Sequence, residues 1–391
     1  MTDLLVTHAL RSGGAPTALL ALDGRIAALG EDALGAAPPE AERYNAGGRL
    51  LLPGLVEGHI HLDKTLIGLP FIPHIPGGSI AARIAAEKAL RRSVPLSVEE
   101  RGGKLIERIS AFGTVAARSH VDIDTEVGLK GLEALLTLKV RYAHLIDLQI
   151  VAFPQSGILA DRGVAELLHE AVANGADLVG GLDPSGIDAD PKGHLDAVFA
   201  VAERHGVGVD IHLHDGGRLG SWELRLIAER AAALGLDGRV AVSHAFCLGE
   251  LDDHDFAATA GALARAGVAI MTTGPGPVPM PSVKRLRQSG VRVFSGNDNV
   301  RDAWSPFGTG DLIERSAIVS DRQDFRADED IELAFALVTE ESAVATGLGS
   351  GRLEVGASAD FLLMEAGSIA EAVAARPAAR TVFKRGVRVA G

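Results

Sequence analysis

The chain has 391 residues, 47% hydrophobic and 23% charged, enough apolar mass for one large α/β domain and a small accessory one. A formal net charge of −13, with no basic cluster dense enough to neutralise a row of phosphates, argues against a nucleic-acid partner. No window reaches the roughly 18 to 20 apolar residues that cross a bilayer, which argues against a membrane protein.

Residues 1 to about 52 hold short strand-like pieces, Leu4 to Val6, Leu19 to Ala21 and Arg25 to Ala28, separated by glycine turns. The opening Met1-Thr2-Asp3 lacks a basic stretch and an apolar block, so a cytoplasmic location is expected. An apolar run at 54 to 60 reads as a buried strand ending at His59 and His61. From Lys64 to about Leu96 the chain carries Pro70, Pro73, Pro76 and Gly77-Gly78, too long for a simple β/α connection, and an active-site loop is expected there.

β-branched apolar runs then recur near 115, 148, 179, 210, 242, 270 and 293, a strand-plus-helix beat of roughly thirty residues. Between them, Leu195, Val198, Phe199 and Ala202, and then Leu224, Ile227, Ala228 and Ala231, follow the spacing that puts apolar groups on one side of a helix. With the run at 54 to 60 there are eight strands, the number that closes a (β/α)8 TIM barrel, here residues 53–345. A doubly wound open sheet is the alternative, but no glycine-rich phosphate loop follows the first strand. Phe361 to Met364 and Thr381 to Val389 lie beyond the barrel. Residues 1–52 and 346–391 are expected to pair as a small β-sandwich domain built from both termini.

A strand sends side chains i and i+2 to the same face, so His59 and His61 can close on one cation. In a TIM barrel all strand C-termini face one mouth. Metal-type or proton-transfer groups fall at five such ends: His59 and His61, Gln155, then His212, His214 and Asp215, then Ser243-His244, and finally Asn297-Asp298-Asn299. Cys247 is the single cysteine, which rules out an intrachain disulfide and fits a reducing compartment; any metal must use histidine and carboxylate.

The segments His59-Ile60-His61-Leu62-Asp63, Ile146 through Gln155, Ser243-His244 and Asp298 through Gly308 stand in the order of the amidohydrolase superfamily. Within it the chain resembles the cytosine deaminase branch over nearly its whole length. The resemblance implies a single divalent metal, zinc or iron, held by His59, His61, His212 and Asp298. Three imidazoles and one carboxylate suit such an ion and leave room for a water, whose proton it makes labile near pH ~7. Strand four ends Gly180-Gly181-Leu182-Asp183, without the lysine that bridges the two metals of binuclear members, so one ion is expected.

By the same resemblance Asp298 is both ligand and proton acceptor, and His244 stabilises the developing oxyanion. Gln155 offers its amide to the edge of a planar N-heterocycle, and Trp304 either walls the pocket or is a core tryptophan. Asp215 stands where cytosine deaminase relatives carry a glutamate that shuttles a proton to a ring nitrogen, and Asn299 replaces a second aspartate. Lys64 resembles instead the N-isopropylammelide amidohydrolase branch, which expels alkylamines from triazine rings. There it would neutralise an anionic ring oxygen, the alternative being a lysine with a solvated tip. His214 is assigned to substrate rather than metal. The remaining histidines are given ordinary structural roles, with a supporting place beside the metal as the exception for His120. The proline-rich loop Gly274 to Pro281 is expected at the pocket rim.

The expected activity is that of a metal-dependent hydrolytic deaminase acting on a cytosine-like, amino-substituted N-heterocycle, releasing ammonia by attack of a metal-bound hydroxide. The alternative is an amidohydrolase that releases an alkylamine from a triazine-type ring or opens a cyclic amide. A metal-free binding scaffold is the remaining reading. The only partner expected is the small-molecule substrate, with self-association as a homo-oligomer allowed.

Overall fold

The computed structural model describes residues 3–74 and 78–391; Pro76 and Gly77 of the expected active-site loop lie outside the described residues. Five strands come first: β1 (Leu4–Leu10), β2 (Pro16–Leu22), β3 (Arg25–Leu29), β4 (Glu42–Asn45) and β5 (Leu50–Pro53). The barrel follows as β6 (Leu55–Ile60), β7 (Thr114–Asp122), β8 (Asp147–Phe153), β9 (Leu178–Leu182), β10 (Gly208–Leu213), β11 (Val240–His244), β12 (Ala269–Met271) and β13 (Val293–Phe294). The chain closes with β14 (Phe361–Met364), β15 (Arg380–Lys384) and β16 (Val387–Ala390).

Strands β6 to β13 pair in sequence order, every neighbour parallel. Strands β7, β9, β10 and β11 are buried at every position, which is why they read as continuous apolar runs rather than alternating ones. The ring closes through the backbone past β13: Gly58 N–H donates to Ser295 O (3.2 Å) and Asp298 N–H to His59 O (2.7 Å). Closure needs glycine at position 58, where a Cβ would stand 2.6 Å from both the Phe294 ring and Ser295 O. It also sets Asp298 directly beside His59.

The two helical faces legible in sequence form helices Pro191–His205 and Gly217–Ala233, which bury the expected apolar positions. Asp190 caps the first by accepting from Gly193 N–H, and Gly206 ends it in the left-handed region. Among the described residues, no helix is long and apolar enough to cross a membrane.

The segment after β6 departs from the expected loop, because residues Ile80–Arg91 form a helix. Alanine is the best helix former, and Ala81, Ala82, Ala85, Ala86 and Ala89 fill it behind a Ser79 cap.

The terminal segments pair in one sheet, ordered β16-β15-β14-β5-β1-β2-β3 with β4 beside β1, and the two ends of the chain meet where β5 runs antiparallel to β14. The expected sandwich is one sheet folded on itself rather than two. Leu19 of β2 and Ile26 of β3 share a core with Phe361 of β14 and Phe383 of β15. Two buried cations lock this sheet to the barrel floor, away from the mouth. Lys384 Nζ donates to Val115 O (3.0 Å), Asp147 (2.6 Å) and Asp360 (3.0 Å). Arg380 forks onto Asp311 at 2.7 and 2.6 Å.

Candidate active site

At the C-terminal mouth, His59 Nε2 lies 3.4 Å and His61 Nε2 3.3 Å from the same Asp298 oxygen, and His212 Nε2 lies 3.3 Å from His61 Nε2. Two overlapping sets place one donor atom per residue within 4.8 Å of one another: His59, His212, His244 and Asp298, and His59, His61, His120 and His212. The buried His59 Nε2 has no hydrogen-bond partner. Burial, with Lys64 as the next cause, drives the His61 imidazole well below its usual range. Burial and the surrounding imidazoles do the same to His212 and His244, and hold His120 down to about 4. Burial acts to raise Asp298, but His59 and His61 win and hold its carboxyl well below the ordinary range. Neutral imidazoles and one anionic carboxylate, with an orphaned nitrogen facing them, are the donor set a divalent cation requires. Asp298 and His244 hold this geometry with φ of 59° and 73°, a left-handed backbone that non-glycine residues avoid.

Beneath His59 a polar chain fixes its tautomer. Ser243 Oγ lies 2.9 Å from His59 Nδ1 and 3.1 Å from Asp210 Oδ1, and Asp210 is paired with Arg118 at 2.8 Å. His120 and then the Arg118 guanidinium act against burial and hold the Asp210 carboxyl far below the ordinary range. A carboxylate can only accept, so the single serine hydrogen goes to Asp210 and His59 Nδ1–H must donate to Oγ. The His59 Nε2 lone pair is thereby left for a cation. On the other side, Glu57 accepts from the backbone N–H of Asn297 (2.8 Å) and of His59 (3.2 Å), pinning the loop that carries Asp298 to β6.

Above the cluster opens a cavity lined by His61, Lys64, Phe153, Gln155, Leu182, His212, His214, His244, Asp298, Asn299 and Trp304. Lys64 is buried rather than solvated. Its ammonium lies 3.1 Å from Asp122 and 3.3 Å from Glu87 and donates to Gln155 Oε1. Burial opposes its charge, but Asp122, Glu87 and Asp63 hold it protonated above the usual lysine range. His214 rests on Asp183 (3.0 Å) and stacks on the His244 ring at 4.4 Å. Asn299 donates to Asp302 (2.7 Å).

The model of the amidohydrolase family matches residues 42–390. The chain belongs to the amidohydrolase family. It is a metal-dependent hydrolase of C–N bonds. N-isopropylammelide isopropyl amidohydrolase of Pseudomonas sp. strain ADP is 30% identical over 83% of this chain and 81% of its own length. Protein YahJ of Escherichia coli is 34% identical over 94% and 81%. The crystal structure of N-isopropylammelide isopropylaminohydrolase from Burkholderia multivorans superposes with a TM-score of 0.95 at 42% identity, covering 100% of this chain and 98% of that one. The 5-methylcytosine deaminase of Klebsiella pneumoniae, liganded with 5-fluorocytosine, gives 0.85 at 28% identity over 99% and 97%.

Among the residues singled out from sequence, His59 lies buried beneath the cavity with the other imidazoles, the loop Gly274 to Pro281 contributes nothing to the lining, and Asp215 is turned away from it. Its carboxylate accepts from Gly186 N–H (3.1 Å) and meets that of Glu223. Burial and the nearby Asp183 raise the Asp215 carboxyl, and burial pushes Glu223 up to about 7. Sequence reading gave no role to Phe153 and Leu182, which line the cavity, to Ser243, named there only as the neighbour of His244, or to Asp122 and Glu87, which stand behind it. Phe153 and Ser243 lie inside the very segments that carry the family resemblance. Glu87 had no signal, because its helix was not expected.

Proposed function

We propose that this amidohydrolase hydrolyses an exocyclic C–N bond on a single oxo-substituted N-heterocycle of the triazine type, releasing an alkylamine. One divalent cation, zinc or iron, would be held by His59, His61, His212 and Asp298. The observation that carries the reading is the buried Lys64 ammonium in the cavity wall beside Gln155, a cation presented to a ring oxygen. The 42% identity to a hydrolase named for N-isopropylammelide supports it.

When bound, the cation would supply a Lewis acid that renders water acidic near neutral pH. The residues of the chain do the rest. Trp304 and Phe153 offer flat apolar faces to the ring, while Lys64 and Gln155 hold its oxygen and adjoining nitrogen. The ionised Asp298 carboxylate accepts the proton of the attacking water. His244 donates to the attacking oxygen as the ring carbon becomes tetrahedral, while the electron pair displaced from the C=N bond passes to the adjoining ring nitrogen and, by conjugation, to the ring oxygen held by Lys64. Asp298 then passes the proton to the departing nitrogen, the C–N bond breaks, and a ring hydroxyl and a free amine remain. His214, against Asp183, lies on the side where the amine leaves.

Ammonia release from a cytosine-like ring is the second reading, supported by the likeness to 5-methylcytosine deaminase. It is the weaker one, because the carboxylate expected to shuttle a proton to the ring, Asp215, points into Glu223 instead. Incubating the protein with an isopropylamino-dioxo-triazine and, separately, with cytosine, and quantifying isopropylamine and ammonia by mass spectrometry, distinguishes the two. Ammonia from cytosine with no amine from the triazine would overturn the first. Less than one metal per chain, not restored by zinc or iron, would favour the scaffold.

A further inference from the structure

We infer that Glu87 is a specificity-determining positioning residue, whose single carboxylate oxygen ties the Trp304 indole and the Lys64 ammonium into one clamp across the ring slot. The inference rests on the triazine reading for what the slot holds, but not for the clamp itself.

The helix Ile80–Arg91 turns only Ile84 and Glu87, one turn apart, fully inward. Ile84 packs on Phe153 and Leu182 with Trp304 alongside, so the helix roofs the cavity. Glu87 Oε2 accepts from Trp304 Nε1 at 2.8 Å and from Lys64 Nζ at 3.3 Å. Lys64 Nζ sits between two aromatic faces, 5.4 Å from the Phe153 centroid and 5.5 Å from that of Trp304. A lysine on a four-carbon stem carries much rotamer freedom, and an indole can swing about its two side-chain torsions. Asp122 on β7 fixes the ammonium from below, and Glu87 is the group that fixes it from the roof while holding the indole upright. The helix is anchored separately at its far end, where Arg91 donates to Asp124 at 3.0 Å and Arg92 pairs with Glu126 at 2.8 Å. Loss of the Glu87 carboxylate therefore loosens the walls of the slot without releasing the roof.

Glu87 does not line the cavity, so its effect runs through Lys64 and Trp304 and falls on substrate binding more than on the chemical step. The test is made in a Trp222→Phe background, where Trp304 is the remaining tryptophan. Glu87→Ala is expected to raise KM for the isopropylamino-dioxo-triazine by roughly tenfold or more with kcat changed by less than about threefold, since a charge-assisted hydrogen bond to each wall is lost. It is also expected to make Trp304 emission in the ligand-free protein more accessible to acrylamide. Glu87→Gln, which keeps an acceptor oxygen at the same reach, is expected to restore most of both. Glu87→Asp keeps the charge but falls one methylene short of spanning both partners and is expected to follow Glu87→Ala; it decides the matter if the alanine variant does not fold. Unchanged Trp304 quenching in the alanine and aspartate variants, or a fall in kcat at constant KM, would overturn the clamp. A parent protein inactive on the triazine would overturn the substrate reading alone, leaving the quenching comparison to decide the clamp.

Discussion

Replacing Ser243 with alanine removes one oxygen from a fully buried position and leaves two groups without their partner, His59 Nδ1 at 2.9 Å and Asp210 Oδ1 at 3.1 Å. Asp210 keeps Arg118 at 2.8 Å, so its charge stays compensated and the fold survives. The imidazole fares worse. Without an acceptor at Nδ1, nothing selects the tautomer that leaves the Nε2 lone pair free, and the ring can turn about its side-chain torsions. Partners of this kind behind a metal-binding histidine are worth about 10- to 100-fold in metal affinity, which is roughly 1.4 to 2.8 kcal/mol. The unpaired buried nitrogen adds a folding cost of about 1 to 3 kcal/mol. Zinc affinity is measured by competition with a chromophoric chelator, and stability by urea unfolding of the metal-free protein, so that the two effects are read separately. Ser243→Ala should release zinc at least tenfold more readily while remaining folded and cooperative. An affinity within twofold of the parent would refute the reasoning, because it would mean that His59 needs no tautomer lock or is not a ligand.

Asp298→Ala should abolish turnover, by a factor of about 10³ or more, and lower the bound metal at the same time, since the proposed function makes one carboxylate both ligand and base; metal analysis alongside initial rates checks the coupling. Lys64→Met should cut kcat/KM for an oxo-triazine by roughly 10- to 100-fold, because it removes the cation from the cavity wall and leaves Asp122 and Glu87 behind it without their buried counter-charge; steady-state kinetics against a neutral ring analogue reads the difference. Asp311→Ala strands the Arg380 guanidinium, 1% exposed, with only the carbonyls of Phe112 and Pro377, and should lower the unfolding free energy by about 3 to 5 kcal/mol in urea while kcat of the remaining folded protein stays unchanged. Glu223 holds its proton to about 7 in the folded protein against an ordinary 4.5. A raised carboxyl pKa stabilises the fold fully below 4.5 and loses that contribution as pH rises through 7, so the melting temperature of Glu223→Gln should fall less than that of the parent between pH 5 and 8.

The parts that sequence made legible are those whose physics is periodic or local. Strands buried on both faces, such as Val240–His244, announce themselves as unbroken apolar runs, and His59 and His61 share a face because the strand repeat is two. That rule fades past the strand end: His61, one residue beyond Ile60, still keeps it, but it does not reach through a turn. Strand β10 ends at Leu213, so the directions of His214 and Asp215 are set by the turn that follows: one lies against Asp183 at the cavity and the other is drawn to Gly186 N–H and Glu223. Asp298 stands four residues beyond β13, and no alternation could place it. Its position comes from backbone pairing with His59 O, from Glu57 gripping Asn297, and from a left-handed φ, all of them long-range or strained features that composition does not encode.

The helix Ile80–Arg91 was hidden for a different reason. Its inward face is two residues wide, and the alanines that make it helical leave no apolar stripe for periodicity to find, so the prolines before it dominated the reading. A roof needs only enough apolar surface to seal against Phe153 and Leu182, and what it contributes to specificity is a carboxylate at one position. An element of that kind can change Glu87 without disturbing the barrel beneath it, whereas a change at His59 or Asp298 would break the buried histidine and carboxylate cluster at the strand ends. Substrate choice in this architecture is therefore free to vary in the roof while the bond-breaking chemistry stays fixed at the strand ends.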